Sequence, residues 1–145
     1  MTKRRFLTAL LVAVVMAQPA AAGGVRAEEQ ATTGPAAEYY GYLTPEITIS
    51  KGDSIVYSNF DVVLHDFVQD VEADGHGGKT NAPWCEDEGE HGDEHHHGCP
   101  VFWSEQIGFQ EETRVKGLGR VKPGKTYTFF CTLHHGMKGT LTVRP

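Results

Sequence analysis

Lys122-Pro123-Gly124-Lys125-Thr126-Tyr127-Thr128-Phe129-Phe130-Cys131 reads as a tight turn followed by a strand. Pro at the second turn position and Gly at the third suit a reversal of the chain. From Thr126 the residues alternate, placing Tyr127, Phe129 and Cys131 on one face, the mark of a half-buried strand. Working outward, Ile47-Thr48-Ile49-Ser50 alternates too, and Lys51-Gly52-Asp53 is a turn. Residues 54–59 and 62–68 read as further strands, and Leu141 and Val143 mark a last one. No apolar stripe of three helical turns occurs in this part of the chain. Many short strands joined by turns predict an all-β sandwich or barrel of antiparallel strands.

The amino terminus follows a different logic. Lys3, Arg4 and Arg5 precede an apolar run over residues 6–16, and small residues follow. This order is that of a secretory signal peptide, with cleavage expected after Ala22 or Ala27. The run is too short for a membrane anchor, which needs about 20 residues. Residues 1–27 are thus expected to be removed on export to the periplasm or the exterior. Residues 28–43, rich in small and polar types at their start, read as a flexible leader. The domain is expected over 44–145.

The whole chain has 145 residues, 13 basic and 19 acidic side chains and a formal net charge of −6. Loss of residues 1–27 removes four basic groups and no acid, taking the net charge to −10. Such a charge argues against nucleic-acid binding and favours partners with basic patches. The length excludes a large multidomain enzyme. Residues 73–99 break the strand pattern: 85–99 alone hold 6 acids and 4 of the 8 His. Nothing there could line a core, so this block is expected to be a surface insertion.

Cys131-Thr132-Leu133-His134-His135-Gly136-Met137 gathers a thiol, imidazoles and a thioether within seven residues, expected on one inter-strand loop. Soft sulfur with imidazole selects copper or zinc, and a weak thioether points to copper. His65 is the best candidate for a second imidazole. A buried free thiol and a catalytic Cys–His pair are the other readings of Cys131, and core filling is that of Met137. Spacing favours His134 over His135 as the ligand. Cys85 and Cys99 are expected to form a disulfide in an oxidising compartment, closing a loop of about 15 residues that stabilises by roughly 3 kcal/mol. Their alternative is metal binding with neighbouring His. A secondary metal site from His91, His95, His96 and His97 is the functional reading of the insertion, a solvated acidic loop the bland one.

From about residue 45 the chain resembles the cupredoxins, the small blue copper proteins such as plastocyanin, pseudoazurin and amicyanin. The resemblance rests on Ile47-Thr48-Ile49, Gly52-Asp53, Asn59, His65, Pro123-Gly124, the run from Tyr127 to Cys131, and Met137-Lys138-Gly139-Thr140-Leu141-Thr142-Val143. The two-residue gaps between Cys131, His134 and Met137 are most similar to the short ligand loop of amicyanins. The resemblance implies a Greek-key β-sandwich. It implies one type 1 copper held by His65, Cys131 and His134, with Met137 as the weak axial ligand. Two positions depart from the family pattern: Asp66 stands where Asn is frequent, and Leu133 where Pro is frequent. An ionised Asp66 accepts hydrogen bonds without donating, so the link between ligand segments must be rebuilt, and its charge should lower the reduction potential.

The expected function is exported single-electron transport between redox partner proteins. No enzymatic reaction, no stable membrane insertion and a monomer are expected. The alternative is a copper-handling protein that stores, senses or delivers the ion through the His-rich loop.

Overall fold

The computed structural model describes residues 26–75 and 99–145. The expected signal peptide up to residue 25, and Cys85, His91, His95, His96 and His97 of the insertion, lie outside the described residues.

Among the described residues, seven strands form two sheets. β1 (Glu28–Thr33), β3 (Ser54–Asn59) and β5 (Glu111–Arg114) lie in the order β1-β3-β5. β2 (Glu46–Ile49), β7 (His134–Val143), β6 (Thr126–Cys131) and β4 (Val68–Gln69) lie in the order β2-β7-β6-β4. Two single-turn helices, α1 (Ala37–Tyr40) and α2 (Val71–Asp74), and a 3-10 turn at Leu118–Arg120 complete the described elements. Among the described residues no helix is long and apolar enough to cross a membrane.

Alternation in the sequence becomes alternation in burial. Ile47 and Ile49 point inward from β2, Ile55 and Tyr57 from β3, and Tyr127, Phe129 and Cys131 from β6. Leu141 and Val143 face the same core. Each such side chain contributes roughly 1.5–3 kcal/mol on burial. Phe67 and Phe129 stack at 4.1 Å between centroids, and Tyr42 meets Phe129 edge-on at 5.0 Å. Gly139 lets the Phe129 ring approach β7 closely, since a Cβ there would stand 2.3 Å from the ring. Gly124, at φ 73°, makes the turn after Pro123 that the sequence predicts.

Three expectations are corrected. The start of the supposed leader is a strand: β1 runs parallel to β3, with Glu28 opposite Ser54 and Thr33 opposite Asn59. Ala31 and Thr33 are fully buried, and the Thr33 hydroxyl bonds the Tyr57 hydroxyl at 2.7 Å. Small residues suit this close packing, and their low hydropathy hides the strand from a search for apolar alternation. The sheets are also mixed rather than wholly antiparallel, because β2 pairs parallel with β7 as β1 does with β3. Finally, residues 62–67 are not a strand. Val62, Val63 and Leu64 are exposed, and one bridge joins His65 to Ile107 before β4 begins. The apolar run is a surface feature, and side chains rather than a ladder hold its backbone.

Candidate metal centre

Two segments meet at one end of the sandwich. The late one is the β6–β7 hairpin. Cys131 pairs with His134 across Thr132-Leu133, so the expected inter-strand loop narrows to a two-residue link and His134 already belongs to β7. The ladder shifts register between Phe130 and Cys131. An irregularity of this kind re-aims a side chain at the end of a strand. Cys131 and Met137 are both buried in the core cluster.

The early segment has little regular structure. Asn59 closes β3 and then organises the residues after it. Its Nδ2 donates to the carbonyls of Val63 at 2.8 Å and Ile107 at 2.9 Å, and its Oδ1 accepts from the Asp61 N–H at 2.8 Å. The Asp61 carboxylate accepts from the N–H groups of Ala37 and Val62 at 2.9 and 2.7 Å. His65 is fully buried, with its Nε2 3.1 Å from Asp61 Oδ2. Burial raises the Asp61 carboxyl, but bonds from Ala37, His65, Val62 and Ala36 outweigh it and hold the group at about 2.

The segments bring three donors together. His65 Nδ1 lies 3.6 Å from Cys131 Sγ, His134 Nδ1 lies 3.5 Å from the same sulfur, and the two ring nitrogens are 3.1 Å apart. All three fall within 4.8 Å of one another, the arrangement that suits a metal ion. The donor chemistry fits copper: one sulfur and two imidazoles, with the Met137 thioether on the same short hairpin. Burial pushes the Cys131 thiol up to about 11, although the backbone N–H groups of Asp66 and Leu133 pull the other way. In the metal-free chain the sulfur therefore keeps its proton at neutral pH, and metal binding must release it.

Asp66 rebuilds the link between segments. Its carboxylate accepts the Thr132 N–H at 2.7 Å and the Thr132 hydroxyl at 2.5 Å. The Tyr42 hydroxyl donates to the Asp66 carbonyl at 2.6 Å. Of the residues singled out in the sequence, His65, Cys131 and His134 converge and Met137 is buried close by in the chain. The side chain of His135 is outside the described set. Cys131 is the free cysteine among the described residues. The pairing expected for Cys85 and Cys99 reaches into the undescribed segment. Sequence reading missed Asp61, Thr132 and Tyr42. For Asp61 a signal existed, its position four residues before His65, but nothing marked it against the many other acids.

Known proteins bear on this geometry. The model of the copper binding proteins of the plastocyanin/azurin family matches residues 29–144. Reduced auracyanin from Roseiflexus castenholzii superposes with a TM-score of 0.55 at 19% identity, over 84% of this chain and all of that one. A purple cupredoxin from Nitrosopumilus maritimus gives 0.51 at 15%, over 79% and 98% of the two chains. Amicyanin from Paracoccus versutus gives 0.50 at 19%, over 81% of each. At these identities the structures establish a shared fold. No curated protein matches the chain.

Proposed function

The chain belongs to the plastocyanin/azurin family of copper binding proteins, and from that premise we propose that it is an exported carrier of single electrons with one type 1 copper. His65, Cys131 and His134 would hold the ion, with the Met137 thioether as a weaker fourth donor. The observation that carries this reading is the convergence of His65 Nδ1, Cys131 Sγ and His134 Nδ1 from two distant segments. When bound there, copper supplies a one-electron Cu(II)/Cu(I) couple.

The chain's own part is to hold its donors still. Copper(I) and copper(II) prefer different geometries, and ligands fixed by a sandwich rearrange little on electron gain or loss. Buried His65, Cys131 and Met137 are confined by packing. The N–H groups of Asp66 and Leu133 that face the sulfur moderate its electron donation. His134 is partly exposed and offers the route to a partner. Apolar side chains are exposed on both ligand segments: Phe60, Val62, Val63 and Leu64 on one, Leu133 on the other. Together with Phe109 they offer exposed apolar surface to a redox partner, and the chain's net negative charge favours one with a basic patch. No substrate is transformed.

Optical and paramagnetic resonance spectra of the copper-loaded chain test the reading. An intense thiolate-to-copper(II) band that vanishes on reduction and returns on oxidation is expected; copper binding without that band rejects it. The second reading, copper storage, sensing or delivery, draws on the four His between residues 91 and 97. Calorimetric titration of chain already holding one copper separates the two, since a carrier with an inert insertion gives no further heat. Cys85 and Cys99 form a disulfide that closes the His-rich part of that insertion in this proposal, which mass measurement before and after reduction checks.

A further inference from the structure

The Asp61 carboxylate is buried on the far side of the His65 ring from Cys131 and His134. Both of its oxygens face backbone N–H groups, Oδ2 that of Ala37 and Oδ1 that of Val62, and Oδ2 also lies 3.1 Å from His65 Nε2. Backbone N–H groups only donate, so each oxygen must accept. A carboxylate surrounded in this way is held as the acceptor-only anion. The nitrogen opposite it, His65 Nε2, is then the protonated one. In a neutral imidazole that leaves Nδ1 bare, and Nδ1 is the atom that faces the sulfur and His134.

We propose that Asp61 is a positioning residue that fixes the tautomer and orientation of His65 and, through the Nε2–H bond, strengthens the ring as a donor so that the oxidised ion is favoured. The inference rests on the type 1 copper reading and deepens it. One electron enters or leaves through a partner protein, and no proton moves between His65 and Asp61 in the step. The effect is electrostatic and geometric: a carboxylate charge held against the N–H of one ring nitrogen raises electron density at the other. The same bonds pin residues 61–65 to α1 through the Ala37 N–H, so the donor atom cannot swing away. Glu38, on α1, also brings a carboxylate near Asp61 and His65, but from an exposed position where water screens its charge.

Two measurements on the full chain decide the matter. Nitrogen-15 NMR of the metal-free natural chain should show His65 protonated at Nε2 with a slowly exchanging proton. In copper-loaded Asp61→Asn the reduction potential should rise, shifting the redox equilibrium about tenfold towards copper(I), which is about 59 mV for one electron. Copper affinity should fall about 10-fold or more. Glu38→Gln should leave both quantities close to those of the natural chain. An Nδ1-protonated His65 overturns the proposal, as does an unchanged potential in Asp61→Asn or an equal shift in Glu38→Gln. Should Asp61→Asn fail to fold, the tautomer in the natural chain decides alone. A natural chain with no blue absorption would instead sink the type 1 reading, while the metal-free tautomer would still report on Asp61.

Discussion

The two ligand segments reach the same point by different means. The late segment, from Cys131 to Val143, is a hairpin whose backbone is paired through the sheet. The early one, from Asn59 to Asp70, has almost no ladder and is held by side chains: Asn59, Asp61, Asp66 and Asp70. A regular strand fixes its donors through many weak, redundant bonds. An irregular segment fixes His65 through a few buried polar contacts, each costly to lose. Damage to the early segment should therefore show first in stability and geometry, and damage to the late one first in the metal's electronic properties.

The largest contrast is at Cys131. Cys131→Ser should abolish the visible band outright while the metal-free fold persists, as an absorption spectrum and circular dichroism would show. On the early side, Asn59→Ala removes three hydrogen bonds at a buried position. Denaturant unfolding should register a loss of about 2–3 kcal/mol, from the buried groups left without partners. A loss near zero would mean that the early segment is held otherwise. Asp66→Asn tests the tie between segments. Its amide keeps one accepting oxygen for the two Thr132 donors, so stability should fall by about 1 kcal/mol. Voltammetry should find a higher potential, because a negative charge near the metal is gone. An unchanged potential would count against that charge having a role.

Met137→Leu sharpens the late side. The swap conserves volume and should cost less than about 1.5 kcal/mol. Copper binding and the blue band should survive with a shifted potential; loss of binding would make Met137 more than the weak donor proposed. The smallest effect belongs to the second tie, Lys138 Nζ to Asp70 Oδ2 at 2.7 Å. Lys138 is half exposed, so Lys138→Ala should cost roughly 0.5 kcal/mol. Burial raises the Asp70 carboxyl, but Lys138 and the N–H groups of Ala73 and Glu72 more than reverse this and leave it below the ordinary carboxylate range. A lowered carboxyl stabilises the fold above its ordinary value and stops doing so as pH falls through the lowered one. Acid unfolding of Lys138→Ala should accordingly show a weaker pH dependence than that of the natural chain below about pH 4.

Legibility differed between the segments for the same reason. Tyr127, Phe129 and Cys131 announce their strand through alternation, and Cys131, His134 and Met137 announce a soft-metal site through residue type and spacing. In the early segment the apolar run around Val62 has the composition of a strand, yet its side chains are exposed. Residues 28–33 erred in the opposite sense: small and polar in sequence, they are a paired strand whose Ala31 and Thr33 are buried. Composition reports what a strand usually buries. It does not report which backbone lies alongside to pair with it.

The sequence by itself determined the all-β class, the late strand pair and the chemical type of the donors, because periodicity and ligand softness are local properties. Tertiary structure decided that His65 Nδ1 meets Cys131 Sγ across 66 residues of chain, that Asp66 ties to Thr132, and that Asp61 stands behind the His65 ring. Those contacts depend on how two sheets close over one core, a long-range outcome that no window of neighbouring residues encodes.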